Sequence, residues 1–316
     1  MISIVIPIFN EQETLPALYE RLTRAGSLYG SDYEVIFVDD GSNDQSSSLM
    51  KTYCEKDTHI KMVKLSRNFG HQAAISAGIL IAKGDAVIIM DGDLQDPPEE
   101  IQKFIEKWKE GYEVVYAVRT KRKENFLKRL CYAMFYRILN AISPINIPLD
   151  SGDFCLIDKK VADVLNVDMP ERIRFVRGLR AYAGFKQIGL EYERAERFAG
   201  KEKYTFRKLV KLAMDGIFDF STLPLRLASY LGFFIAIPSF LLGMFFVLHR
   251  IFNFKVFGHS PTDTPGLATV VVGIFFLGGV TLIILGIIGE YIGRIYYEVK
   301  RRPFYVIDSV YSQKRD

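Results

Sequence analysis

Cysteine is scarce in this chain of 316 residues: Cys54, Cys131 and Cys155 stand apart, with no paired spacing. That excludes a disulfide framework and a thiolate metal site, and it suits a chain facing a reducing compartment. No Gly-x-Gly-x-x-Gly follows either of the first two apolar runs, and no Gly-x-x-x-x-Gly-Lys occurs anywhere, which argues against a dinucleotide-binding fold and a phosphate-loop ATPase. Charge is missing from two long stretches, 227–248 and 264–289, in a chain whose formal net charge is +4 and whose hydrophobic content is 49%.

Each uncharged stretch holds at least the ~20 residues that a helix needs to cross ~30 Å of hydrocarbon. Runs of this length rich in Phe, Leu, Ile and Gly are rare in soluble cores, so two transmembrane helices are expected. The expected organisation is a globular domain over 1–205, a juxtamembrane interfacial helix over 206–226, a two-helix membrane domain over 227–293 and a tail over 294–316. Arg207, Lys208, Lys211 and Arg226 precede the first span, and Arg294, Lys300, Arg301 and Arg302 follow the second. The connecting loop holds only Arg250 and Lys255 as basic residues besides two histidines. By the positive-inside tendency the large domain and the tail both face the cytoplasm. Ile2–Ile6 already reads as a strand, so no cleaved leader is expected and the first span serves as the insertion signal.

In the first part, apolar runs bounded by turns recur at Ile2–Ile8, Tyr33–Val38, Ile60–Leu65, Ala86–Met90 and Glu113–Val118, with helical spacing between most of them. That alternation predicts an α/β, mostly parallel sheet with helices on both faces. Ligands of such sheets bind beyond the carboxyl ends of the strands, so the residues just after each run carry the information. The fourth run ends in Asp91-Gly92-Asp93-Leu94-Gln95-Asp96-Pro97-Pro98. Two carboxylates spaced i, i+2 around a glycine converge on one hard cation, Mg²⁺ or Mn²⁺, which shares its coordination with substrate phosphates. An acidic turn in which Asp96 caps the helix starting at Pro97-Pro98 is the plainer alternative.

After the first run come Asn10, Glu11 and Glu13, and after the second Asp39, Asp40, Gly41, Ser42 and Asn43. These acceptors suit the N–H of a pyrimidine or guanine base and ribose hydroxyls; helix caps at Asn10 and Asn43 and a turn at Asp40-Gly41 account for them equally well. Ser66-Arg67-Asn68-Phe69-Gly70-His71 precedes a helical stretch, Ala73–Ala82, and reads either as a capped helix start or as a close approach to phosphate. From Arg119 onward, Lys121, Arg122, Lys123, Lys128, Arg129 and Arg137 share a segment with Phe126, Leu127, Leu130, Met134 and Phe135. This basic amphipathic pattern suits an anionic membrane surface. Arg174, Arg177 and Arg180, three residues apart, either line a phosphate path or face water.

Taken together, Val5-Ile6-Pro7 with Asn10-Glu11, Asp39-Asp40-Gly41-Ser42, Asn68-Phe69-Gly70 and Asp91-Gly92-Asp93-Leu94-Gln95-Asp96-Pro97-Pro98-Glu99 resemble glycosyltransferases of family 2 with the GT-A fold. More narrowly, the chain is similar to the polyprenyl-phosphate glycosyltransferases, which include bactoprenol glucosyltransferases and dolichol-phosphate mannose synthases. The resemblance implies a base and ribose pocket at Pro7, Asn10, Glu11 and Asp39, with Asp40, Arg67 and Gly70 beside it. It places Asp91, Asp93 and Gln95 on the metal and donor diphosphate, and assigns catalysis to Asp93, Asp153 and Arg197. It further implies that Ser151 and Lys203 lie at the acceptor phosphate; Arg119 and Arg129 are expected there as well, because bringing a phosphate dianion to a diphosphate needs cations. Cys155, Glu202 and Tyr182 depart from residues common in the family at the acceptor and sugar side.

The implied reaction is an inverting, metal-dependent transfer of glucose from UDP-glucose to undecaprenyl phosphate in a bacterial inner membrane. GDP-mannose with a dolichol-type acceptor is the nearest alternative, followed by a non-catalytic nucleotide-binding membrane scaffold. A processive polysaccharide synthase is disfavoured, since no Gln-x-x-Arg-Trp exists and Trp108 is the only tryptophan. No nucleic-acid module is recognisable. Gly278, Gly279, Gly286, Gly289 and Gly293 allow close helix contacts, compatible with a homo-oligomer. The stretch 302–308 reads as a short strand.

Overall fold

The computed structural model describes residues 1–29, 32–119, 151–172, 174–192, 223–252 and 267–313. The chain divides into two compact units, one of 1–217 with 302–316 and one of 218–301.

In the first unit the five apolar runs become strands β1 (Ile2–Ile8), β2 (Tyr33–Asp39), β3 (Ile60–Leu65), β4 (Ala86–Ile89) and β5 (Val114–Arg119). Between them lie helices α1 (Leu15–Ala25), α2 (Ser46–Lys56), α3 (His71–Ile81) and α4 (Ile101–Lys109). Three further strands, β6 (Ser151–Asp158), β7 (Gln187–Tyr192) and β8 (Ile307–Ser312), complete a sheet of order β7-β5-β6-β4-β1-β2-β3-β8. Pairing is parallel for β1 with β2 and β4, β2 with β3, and β5 with β7. The strands β6 and β8 run antiparallel to their neighbours. The tail strand therefore lies at 307–312, a few residues beyond the stretch expected from sequence, and it covers the edge of β3 in the same chain. Two short helices, α5 (Lys159–Asp163) and α6 (Val176–Tyr182), follow β6.

The runs are nearly continuous in apolar residues because both faces of the sheet are covered. On one face Ile4, Ile6 and Ile8 join Leu15, Leu18, Phe104 and Phe154 in the main core. Phe154 lies edge-on to Phe104 at 4.6 Å and to Tyr192 at 5.8 Å between ring centroids. Burying such a ring contributes roughly 1.5–3 kcal/mol. Because neighbours along a strand alternate sides, Phe154 in the core sends Asp153 and Cys155 to the other face, where α3 packs. Gly78 sets the closeness of α3: a Cβ there lies 2.2 Å from Val5 Cγ1 and 3.0 Å from Val38 Cγ2.

The amino ends of the strands are closed by a buried polar knot. Glu34 accepts from Ser3 Oγ at 2.5 Å, from the Lys83 backbone N–H at 2.7 Å and from Lys61 Nζ, while Gly84 N–H donates to Ser3 Oγ at 2.8 Å. Burial alone raises the Glu34 pKa, but the bonds from Lys61, Ser3 and Lys83 bring it below the usual value.

The second unit contains α7 (Leu223–Phe252) and α8 (Leu267–Val299), which pack against each other. Each is long and apolar enough to cross a membrane, and each runs past the uncharged stretch that announced it. Their large apolar side chains stay exposed, as at Phe234 (78%) and Leu282 (71%).

A methyl group at position 78 has no room unless α3 lifts off the sheet. Gly78→Ala is expected to destabilise the fold by about 1–3 kcal/mol, measured as a shift in the denaturant midpoint.

Candidate active site at the carboxyl ends of the strands

The loop after β1 and the loop after β2 are stitched together through side chains. Asn10 N–H donates to Ser42 Oγ (3.1 Å) and Asn10 Oδ1 accepts from Asn43 N–H (2.8 Å). Gln12 N–H donates to Asp44 (3.2 Å), Gln12 Oε1 accepts from Gln45 N–H (3.1 Å), and Glu11 N–H donates to Ser46 Oγ (2.9 Å). Asn10 adopts φ of +53° to make this geometry, and neither it nor Asn43 is a helix cap: the N-cap of α1 is Thr14 and that of α2 is Gln45. Asn and Gly tolerate such backbone conformations best.

The two aspartates that end β2 diverge in role. Asp40 is buried, and its carboxylate accepts from the backbone N–H groups of Phe69 (2.7 Å) and Gly70 (3.0 Å), tying the second loop to the third. Burial, with a smaller push from Asp39, leaves the Asp40 pKa above its usual value despite those bonds. Asp39 is fully buried; one oxygen accepts from Ser42 N–H at 2.9 Å, while Oδ2 has no partner among the described residues. A buried, unpaired carboxylate oxygen is costly and points to a donor brought by a ligand. Gly41, at φ +70°, lets the second loop lie against the third, since a Cβ there is 2.6 Å from the Arg67 carbonyl carbon and the Asn68 nitrogen. Arg67 lies over the Phe69 ring, 4.0 Å from its centroid, at the exposed rim.

At the end of β4, Gly92 packs so closely on β1 that a Cβ lies 2.6 Å from Ile8 Cδ1. Leu94 holds φ of +61° although it is a branched, buried residue. Such a conformation costs about 1 kcal/mol or more and persists where the surroundings impose it, often at functional sites. Asp93 Oδ1 accepts from Gln95 N–H at 3.1 Å, closing the turn. Asp96 is buried and accepts from Tyr192 OH at 2.5 Å. It therefore fastens the turn to β7 and does not cap the following helix, which starts as a 3-10 turn at Pro98–Glu100 with no side-chain cap.

The antiparallel strand β6 brings in a partner that its spacing from this motif conceals. Asp153 faces His71 Nε2 at 3.3 Å, and the same nitrogen lies 3.6 Å from Asp91 Oδ1. Arg177 grips Asp153 through two bonds, Nε to Oδ1 at 2.7 Å and Nη2 to Oδ2 at 3.0 Å. Burial opposes ionisation of Asp153, but the Arg177 charge and the His71 contact outweigh it and hold the carboxyl well below the usual range. For His71, burial lowers the pKa, yet its bond to Asp153 and the Asp91 charge push it up from 6.5 to about 9.

The three arginines of 174–180 separate into distinct environments. Arg174 donates to the Leu165 carbonyl, Arg177 clamps Asp153, and Arg180 is buried at 2% exposure, 5.4 Å from the Tyr116 ring centroid. Of the sequence-expected site, Pro7, Asn10, Glu11, Asp39, Asp40, Arg67, Gly70, Asp91, Asp93, Gln95 and Asp153 lie on loops or strand ends of one sheet edge. Arg129, Arg197 and Lys203 lie outside the described residues, as do the side chains of Arg119 and Ser151. Sequence spacing alone did not single out Arg177 as the partner of Asp153; the signal available was only its place in a periodic arginine series.

A metal ion suits the donor set here. Asp91 and Asp93 with the amide of Gln95 offer hard oxygens and leave most of an octahedral shell for substrate oxygens. Among the described residues no group of three or more His, Cys, Asp or Glu side chains makes a closed cage.

The family model for glycosyl transferase family 2 matches residues 3–165. Over 311 residues the chain is 49% identical to the uncharacterized glycosyltransferase YkcC of Bacillus subtilis, covering 98% of this chain and 94% of that one. It is 42% identical over 307 residues to the SfII prophage-derived bactoprenol glucosyl transferase of Shigella flexneri, covering 97% of each. The prophage bactoprenol glucosyl transferase homolog of Escherichia coli is 40% identical over 310 residues, covering 98% of this chain and 99% of that one.

The raised pKa of His71 has a defined sign in stability. In metal-free protein its contribution is complete below 6.5 and is lost as pH rises through about 9. His71→Gln is expected to flatten that alkaline loss, read from denaturant unfolding below pH 6.5 and above pH 9. The depressed pKa of Asp153 acts oppositely: its contribution is complete above the usual value of 3.8 and is lost as pH falls through the lower folded value.

Proposed function

The chain belongs to glycosyl transferase family 2 and is a glycosyltransferase, and on that premise we propose the reaction that its strand ends serve. It transfers glucose from UDP-glucose to a membrane polyprenyl phosphate of the undecaprenyl type, with inversion at the anomeric carbon. Likeness over nearly the whole length to proteins named bactoprenol glucosyl transferase supports the sugar and the acceptor. The two apolar helices and their basic flanks support an integral membrane protein with its catalytic unit on the cytoplasmic side.

The observation that carries the acceptor class is the engagement of Asp153. Both of its oxygens accept from Arg177, and one also meets His71, so this carboxylate is an ionised anchor and a poor general base. A hydroxyl acceptor needs a base to take its proton. A phosphate monoester, with a second pKa of about 6, reaches neutral pH mostly as the dianion and needs none. Its oxygen attacks the anomeric carbon while the bond from that carbon to the diphosphate oxygen breaks, and UDP departs with the electron pair.

The residues divide the work. Asp39 Oδ2 accepts the N–H of the base, and Pro7, Asn10, Glu11, Asp40, Arg67 and Gly70 shape the nucleoside pocket around it. Asp91, Asp93 and Gln95 would hold Mg²⁺ or Mn²⁺, which when bound supplies positive charge to the leaving diphosphate. His71 opens α3 with its Nε2 3.6 Å from Asp91 Oδ1, where it would offer a hydrogen bond to a diphosphate oxygen. Arg119, Arg129, Ser151, Arg197 and Lys203 are assigned to the acceptor phosphate and the closing of the site over it.

The test is transfer of radiolabelled sugar to short-chain polyprenyl phosphate by purified full-length protein, with Mn²⁺ or Mg²⁺, across UDP-sugars and GDP-mannose. A chloroform-soluble product from UDP-glucose is expected, lost with chelator and reduced on the order of 10²-fold or more by Asp93→Asn. Product from GDP-mannose alone would replace the donor assignment, and nucleotide binding without any transfer would replace the enzyme assignment with a scaffold.

A further inference from the structure

The ion pair of Arg177 with Asp153 belongs to a closed ring of contacts that joins three elements of the fold. From Asp153 on β6 the ring passes to His71 Nε2 at 3.3 Å, and from His71 along the backbone of α3 to Gln72. Gln72 Oε1 accepts from the backbone N–H of Val176 at 3.1 Å, which opens α6, and the next residue, Arg177, returns to Asp153. Every link is partly buried, and the side chain of Asp153 is only 10% exposed. A bidentate guanidinium fixes the plane of a carboxylate as a single donor cannot. The plane of Asp153 in turn aims the imidazole of His71, whose Nε2 stands 3.6 Å from Asp91.

We propose that Arg177 is a positioning residue for the transfer, acting through Asp153 to hold His71 at the donor-diphosphate end of the site. This rests on the transfer reading above and adds to it a residue to which that reading gives no role. Arg177 binds both oxygens of Asp153, so the orientation of that carboxylate is the route by which it reaches His71. Loss of the fork lets Asp153 and His71 rotate, and a displacement of about 1 Å at a reacting centre costs on the order of 10²-fold.

The experiment compares wild type, Arg177→Ala, Arg177→Lys, Asp153→Ala and the Arg177→Ala/Asp153→Ala double variant in the full-length protein. Glucose transfer from UDP-glucose to short-chain polyprenyl phosphate is measured alongside UDP binding by calorimetry. Arg177→Ala is expected to lower kcat on the order of 10²-fold while UDP affinity stays near that of wild type, which also reports a folded pocket. Arg177→Lys keeps the charge without the fork and should fall between the two. Free guanidinium should restore part of the kcat of Arg177→Ala and leave wild type unchanged. The double variant should be no slower than Asp153→Ala, since the two residues act as one unit.

A double variant slowed by the product of the two single effects would overturn the proposal, as would an Arg177→Ala protein with wild-type kcat. If Arg177→Ala fails to bind UDP, Arg177→Lys decides: full activity there shows that charge alone is needed and overturns positioning by the fork. If wild type itself transfers no glucose to the lipid while binding UDP, the underlying reading fails, an outcome distinct from any of these.

Discussion

The antiparallel register between β4 and β6 is the constraint on which the site depends. Ile89 pairs with Cys155, so continuing the two strands by two residues sets Asp91 across from Asp153. A parallel strand in the same place would have sent its following residues past the sheet edge and away from Asp91. Because side chains alternate along β6, the same register buries Phe154 against Phe104 and Tyr192. A slip of one residue would exchange the two faces, burying the aspartate in the apolar core and exposing the phenylalanine. Packing of one ring and placement of one carboxylate are thus a single structural decision.

Gathering acidic groups at one edge creates an electrostatic problem that the fold answers with named cations. Asp91 and Asp153 share His71, and Asp153 is further held by Arg177. Removing water from these groups raises the cost of any unpaired charge, so each partner matters more here than on the surface. Asp39 Oδ2 is the exception, buried without a partner among the described residues. At the other end of the strands Glu34 is satisfied by Ser3, Lys61 and Lys83. One end of the sheet is closed and internally paired; the other retains an acceptor for an incoming donor.

Loop shape at the site is set by a few backbone positions in the left-handed region. Asn10, Gly41, Gly70 and Leu94 all have positive φ, and all follow strands β1 to β4. Gly41 also brings two loops into backbone contact, which no larger residue permits. Leu94 shows that the turn after Asp93 is imposed by its surroundings, with Asp96 anchored to Tyr192 on one side and Gly92 pressed on Ile8 on the other.

Strands β1 to β5 were legible in the sequence because each is an apolar run ended by turn residues, and the carboxylates after β4 were legible because they sit within a few residues of one another. The two apolar helices were legible for a related reason, since absence of charge over a long run is a local property. Local patterns of residues therefore set the alternation of strand and helix, the order of the strand ends and the residue types waiting there. Strands β6 and β7 escaped because their identity depends on neighbours far along the chain: β6 lies between β4 and β5, and β7 pairs with β5. Periodicity made Arg174, Arg177 and Arg180 look equivalent, whereas the structure gave them a carbonyl, a carboxylate and an aromatic ring. Long-range packing, in contrast, brings Arg177 to Asp153 and sets His71 between two aspartates. A hydrogen bond requires its partners within about 3 Å, and pairs separated by 24 or 82 residues are brought to that distance by sheet register and helix packing, not by local propensity.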